Sequence, residues 1–316
     1  MRATKYFAII AAALSLAACN NDENLTPDKS EVQPLFTGSI GEMKTRAYDQ
    51  TWEATDPIGI SGKSGDVTYT NVCHVTENGD GNFRPTAEPI YFQTTDDVTF
   101  TAYYPWKNLV EGVTTITAST LGQTDQKTFD FLFATAVGSK ANHNVAFNFQ
   151  HCMAKLVLTL KPGAGVSYEE VKAAQVTLAN FLQEGAFDVT SGVATASGTP
   201  CTQWNFNNNV DNPVYNAPFM ENETNKTLTY SLILFPQSFE GAASKMVFTA
   251  TLAQDLTAEI DFTSANTDAG DTDAKNELVA GRQYNIPVTL NKTSLTVGAC
   301  TIADWTPANG GDVSAE

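Results

Sequence analysis

The chain has 316 residues, 42% of them hydrophobic, and a formal net charge of -17. That length suits about two ordinary domains, and the acidic balance excludes a surface made for phosphate backbones, so no nucleic-acid partner is expected. Thr, Asn, Asp, Val and Phe are plentiful, which favours strands and turns over helical bundles.

The first segment reads as an export signal. Arg2 and Lys5 form a positive start, and Tyr6 to Leu16 is an apolar run too short to span a bilayer. It ends in Leu16-Ala17-Ala18-Cys19. Small residues before a Cys form the bacterial lipobox pattern, in which the Cys is lipidated and becomes the new N-terminus. An ordinary secretory cleavage after Ala18 is the alternative, and both export the protein. Residues 1–18 are thus expected to be a lipoprotein signal peptide, with a membrane anchor through lipid on Cys19. The acidic, polar run that follows makes 19–35 a disordered tether by composition.

From residue 36 the apolar residues recur at period two. Phe36, Gly38 and Ile40 share one face of a short strand. Val98, Phe100 and Ala102 alternate in the same way, as do Val145, Phe147 and Phe149. The pattern continues at Leu156, Leu158 and Leu160, at Leu228 to Leu234, at Met246 to Leu252 and at Tyr284 to Leu290. Turn clusters separate these runs at residues 77–82, 161–165, 207–209 and 264–275. Many short strands between such turns predict an all-β, sandwich-type fold. Ser167-Tyr168-Glu169-Glu170 matches a capping box and predicts one helical turn. Strand density drops over 136–144, which places a boundary near 150 and predicts N-terminal (36–150) and C-terminal (151–316) β-sandwich domains.

Signals for chemistry are weak. His74, His143 and His151 form no zinc spacing. His151 and Cys152 are neighbours on a strand, so their side chains point to opposite faces. Ser61-Gly62-Lys63-Ser64 resembles the end of a phosphate loop, but the preceding Gly is missing and the segment reads as a hairpin turn. Asp268, Asp271 and Asp273 cluster without the EF-hand spacing and read as a solvated loop. Cys73, Cys152, Cys201 and Cys300 lack a CxxC spacing; four cysteines allow three pairings, and buried thiols are the preferred reading. Trp52, Trp106, Trp204 and Trp305 could stack on sugars, but single Trp residues in a sandwich are mostly core. No catalytic residues, metal site or cofactor are expected.

Several motifs recur in order: Thr45-Arg46-Ala47, Trp52-x-x-x-Asp56-x-Ile58-Gly59-Ile60, Gly81-x-Phe83-x-Pro85 and Ala102-Tyr103-Tyr104-Pro105-Trp106. Asp130-x-Leu132-x-Ala134 follows, then Val145-x-Phe147-x-Phe149-x-His151-x-x-Ala154-Lys155-Leu156. Leu278-x-Ala280-Gly281-x-x-Tyr284 and Ile302-x-x-Trp305 lie near the C-terminus. Together they resemble the fimbrillin (Mfa-like) family of Bacteroidales, lipoprotein precursors of the type V pilus. The acidic run after Cys19 likewise resembles the surface-export signal of Bacteroidota lipoproteins.

The resemblance implies two tandem transthyretin-like β-sandwich domains and a surface-exposed outer-membrane lipoprotein. It also implies assembly: an arginine-specific protease cuts between Arg46 and Ala47, the strand carrying Phe36, Gly38 and Ile40 leaves, and a strand from another fimbrial subunit fills the groove. A structural, adhesive, tip or accessory fimbrial subunit is therefore expected. The alternative is a stand-alone surface lipoprotein that binds a glycan or protein ligand.

Overall fold

The computed structural model describes residues 32–41, 51–206, 216–241, 245–270, 272–303 and 305. Strands dominate. The first eight are β1 (Leu35–Ile40), β2 (Pro57–Ser64), β3 (Val67–Thr76), β4 (Asn82–Pro85), β5 (Val98–Tyr104), β6 (Thr115–Ser119), β7 (Leu132–Gly138) and β8 (Asn144–His151). Seven of them join edge to edge in the order β1-β4-β3-β2-β5-β7-β8 and close into a barrel. Alternation builds its interior. On β8 the buried Val145, Phe147 and Phe149 alternate with the exposed Ala146, Asn148 and Gln150. They pack with Phe36, Ile58, Ile60, Phe83, Phe92 and Phe100 in one apolar cluster.

The chain continues as β9 (Ala154–Pro162), α1 (Tyr168–Ala173), β10 (Gln175–Ala179), β11 (Glu184–Asp188), β12 (Val193–Ser197), β13 (Trp204–Asn205), β14 (Phe219–Asn222) and β15 (Thr227–Leu234). Then come β16 (Gln237–Ser238), β17 (Met246–Thr251), β18 (Asp255–Ile260), α2 (Thr263–Asp268), β19 (Glu277–Leu278), β20 (Gln283–Leu290), β21 (Leu295–Val297) and β22 (Thr301–Ala303). Two sheets, β14-β15-β9-β20-β21 with β22 also on β20, and β13-β10-β17-β18, enclose a second core. Every alternating run named from the sequence lies on a strand, and its inward residues are buried except the half-buried Gly38; Leu252 alone falls past the end of its strand.

A third cluster joins the two. β6, which lies outside the barrel, pairs with β11, forming the sheet β12-β11-β6. Beneath it Phe131 and Phe187 stack with centroids 4.5 Å apart, together with Tyr103, Met153, Ile233 and Phe235. This layer explains why alternation fails on the second half of β15, where Ser231 and Ile233 are buried as well as Tyr230 and Leu232. β14 covers the edge of β15 only from Thr227 to Tyr230. Past that point the Gln123 amide takes over: Nε2 donates to Ile233 O at 3.0 Å and Oε1 accepts from Ile233 N at 3.1 Å. A buried side-chain amide thus replaces a strand on that edge.

Local corrections are small. The segment Ser61 to Ser64 is strand, and the hairpin turn falls at Gly65-Asp66, where Gly65 has φ +57. The capping box is present: Ser167 Oγ accepts from Glu170 N, and the Glu170 carboxylate accepts from Ser167 N at 2.8 Å. The helix runs six residues, longer than the single turn expected. Ser167→Ala should lower stability by about 1 kcal/mol, read as a shift of the denaturation midpoint at constant slope. The second helix, α2, lies inside the segment read as a turn cluster. Its Asn266 is fully buried; the side chain donates to Lys275 O and Glu277 O and accepts from Tyr284 Oη at 2.8 Å. Those partners are distant in sequence, so no local pattern announces the helix.

Candidate functional site

β1 is the strand on which function was expected to turn. The chain is held just before it: Phe92 N donates to Val32 O at 3.0 Å, and Leu35 N to His143 O at 2.8 Å. β1 runs parallel to β8 over six pairs, from Leu35↔Asn144 to Ile40↔Phe149. On its other side it meets β4 at only two, Phe36↔Phe83 and Thr37↔Asn82. The barrel therefore closes through β1, and the β1–β4 contact is, with β7–β8, one of its two shortest ladders.

The structure brings Phe36, Gly38 and Ile40 together on the inner face of β1. The Phe36 ring lies 5.1 Å from His74, 5.2 Å from Phe100 and 5.6 Å from Phe147. Ile40 is buried near the opposite end, while Leu35 points outward and is 54% exposed. Between the two apolar anchors, Gly38 is gripped. A Cβ there would stand 2.9 Å from Phe149 Cε2 and 2.9 Å from Phe83 Cε2. Gly38 N donates to Gly81 O at 2.8 Å, and Gly38 O accepts from Trp52 Nε1 at 2.7 Å. Gly81 has φ +75, and a Cβ on it would strike Gly38 O at 2.5 Å. Its turn position and the close approach of β1 both require glycine.

Trp52 organises this seat. Its ring packs edge-on against Phe83 at 5.0 Å and Phe149 at 5.1 Å, the same two rings that crowd Gly38. The sequence places both Trp52 and Gly81 in motifs of the family resemblance and marks Trp52 as core, but it does not show the hold of either residue on Gly38. The only available signal was the unusual Trp after a polar linker. Cys19, Arg46 and Ala47, the expected lipidation and cleavage positions, lie outside the described residues.

Past the end of β1 lies a small cleft whose lining includes Ile40, Trp52, Asp56, Tyr104, Asp130 and His151. Asp56 accepts from Glu53 N at 2.7 Å and from Tyr104 Oη at 3.2 Å, and burial pushes its carboxyl above the usual range. Lys127 pairs with Glu53. His151 Nδ1 meets Asp130 Oδ1 at 2.9 Å, and Trp305 stacks on the His151 ring at 4.0 Å. This stack accounts for the C-terminal Trp305 as an anchor for the end of the chain.

The neighbouring Cys152 thiol lies in the third cluster and donates to Gln150 O; burial pushes it up to about 12. A thiol so protonated is no nucleophile. Cys73, Cys152, Cys201 and Cys300 are all free. Trp52, Trp204 and Trp305 are buried, so they offer no face to a sugar ring. Among the described residues no group of His, Cys, Asp and Glu could hold a metal ion, and no helix is long and apolar enough to cross a membrane.

These features define an all-β protein in which one strand is seated, by side-chain pockets, at a joint between two others. More particularly, the chain belongs to the fimbrillin-like family, whose model matches residues 45–305. It is 27% identical over 316 aligned residues to a candidate fimbrium subunit, Fim1C, of Bacteroides uniformis, with 95% of this chain and 94% of the relative covered. The fold is similar to that of a crystallised candidate cell adhesion protein of Bacteroides uniformis, at TM-score 0.65 and 26% identity over 87% of this chain and 99% of that one. A counterpart from Bacteroides ovatus aligns at TM-score 0.64 and 24% identity, over 88% and 99% of the two chains.

Proposed function

We propose that this chain is a structural or adhesive fimbrial subunit, non-enzymatic, carried to the cell surface and assembled by strand exchange. In this reading Cys19 bears the lipid, and the part of the 19–35 segment that precedes Val32 tethers the 36–150 and 151–316 domains to the outer membrane; Val32 and Leu35 are already bonded to the folded body. Cleavage between Arg46 and Ala47 frees β1, and a strand from another fimbrial subunit takes its place beside β8.

One observation carries the reading. β1 supplies core side chains, yet it is joined to β4 at two positions only and to the following strand only through residues 41–56. Once that connection is cut, β1 is a separate peptide held by a six-pair ladder to β8, a two-pair ladder to β4, the two hydrogen bonds at Gly38 and three inward positions. Its loss bares Phe83, Phe100, Phe147 and Phe149 along an open edge, the arrangement that strand addition fills. The family match begins at residue 45, so it takes in Arg46 and Ala47 and leaves β1 outside.

The test is N-terminal sequencing and intact mass of the surface protein from its native cell, beside an Arg46→Ala variant. The wild type should start at Ala47 and run as ladders in mild denaturant. The variant should start at lipidated Cys19 and run as a monomer. A wild type that keeps Cys19 and forms no ladders overturns the proposal.

A further inference from the structure

We propose that the β1 groove accepts only a strand with glycine at its centre and large apolar residues two positions to either side, and that this strand comes from a different protein, not from a second copy of this chain. The proposal rests on the strand-exchange reading above and adds the identity of the partner.

The first half follows from Gly38. The two rings that a Cβ would strike, Phe83 and Phe149, cannot turn aside freely. Both are buried, and both lie edge-on to Trp52, which is itself 7% exposed. Nor can the strand back away. Its amide at this position is bonded to Gly81 O and its carbonyl to Trp52 Nε1, and Gly81 carries no side chain that could yield. The position is thus fixed from above, below and inside, and interiors packed this closely do not absorb an added carbon cheaply. Two residues on either side the demand reverses. The Phe36 pocket is walled by His74, Phe100 and Phe147, and the Ile40 position completes the same cluster. Both need bulk.

The second half follows from the whole sequence. Of its 21 glycines, only Gly38 has a large apolar residue both two positions before and two positions after it. A copy that has lost β1 has lost the one segment that fits. The C-terminal strands offer no substitute. Gly298 is flanked at those positions by Thr296 and Cys300, and β21 and β22 are already paired to β20, with Leu295, Val297 and Ile302 packed on the second core. The occupant is therefore a strand of another subunit, with the pattern large apolar, any, Gly, any, large apolar, running parallel to β8.

The experiment uses the full chain cut after Arg46 with its own β1 peptide still seated. Labelled synthetic peptides spanning residues 32–41 are offered in excess: the native sequence, Gly38→Ala and Gly38→Val. The native peptide should exchange in. The Ala peptide should compete at least about tenfold more weakly, the Val peptide should not enter, and the cut chain kept at high concentration without peptide should stay monomeric. Equal competition by the Ala peptide, or homopolymers of the cut chain, would overturn the proposal. If even the native peptide never enters, the strand-exchange reading fails and takes this inference with it. Because the substitutions are in the peptides, no result can be blamed on a misfolded protein.

Discussion

Replacing Phe36 by Ala should cost the uncut protein about 3–5 kcal/mol of unfolding free energy. The side chain is 3% exposed and touches three aromatic or imidazole rings on three other strands. Each of those strands is held by other neighbours around the barrel and cannot collapse onto the space it leaves, so the cavity term adds to the transfer term. Leu35→Ala, one residue away on the outer face, should change stability by no more than about 0.5 kcal/mol. Denaturant unfolding of both variants reads the difference. A second arm links the effect to assembly. If β1 is released after cleavage, a mature subunit carrying a partner's strand should be insensitive to Phe36→Ala, because the residue is no longer in the molecule. A Phe36→Ala cost near that of Leu35→Ala would mean that β1 is not part of the core.

Acid should weaken the barrel through one buried imidazole. His74 is 2% exposed, edge-on to Phe36 from β1 and paired across the sheet with Ile58 of β2 and Pro85 of β4. Burial holds its pKa down at about 4, opposed in part by the Val72 carbonyl at 3.1 Å. The ionisable residues beside those positions are Cys73 on its own strand, Arg84 on β4, which is exposed, and Asp56 before β2. Between pH 6.5 and 4 the unfolded chain binds a proton that the folded barrel refuses. Stability therefore rises with pH through this window and is lost as pH falls through it, by up to about 3 kcal/mol. His74→Gln, neutral across the range, should flatten that slope. The carboxylates held low by hydrogen bonds, such as Asp80 and Asp261, remain in both proteins and cancel in the difference. Denaturation midpoints from pH 7.5 to 4 in the two proteins make the measurement, and parallel curves would dismiss His74 as the sensor.

His74 also shows how differently the sequence speaks about fold and about site. From the sequence it is only one of three histidines without a zinc spacing. Its place on β3 and its burial against Phe36, about forty residues earlier in the chain, were not legible, because contact between β1 and β3 depends on barrel closure. Trp52 is a similar case. The sequence marks it as unusual, and only the closed barrel shows its indole N–H on Gly38 O and its ring between Phe83 and Phe149. The helix α1 was announced by Ser167 and Glu170 because a capping box is closed within four residues. α2 was hidden because Asn266, the buried residue that ties it down, bonds to residues nine to eighteen positions away.

By itself the sequence determined the strands that alternate and their inward faces. Period-two alternation is a property of a single strand, and Val145, Phe147 and Phe149 carry it whatever lies opposite. It also determined which residue would be small at the centre of β1, though not why. The tertiary structure alone decided that β1 closes a barrel between β8 and β4, that β6 crosses to β11, and that Gln123 covers the free edge of β15. Each of these is a pairing between residues far apart in the chain. Hydrogen bonds and ring contacts of that kind depend on distance in space, which no local pattern of residues encodes.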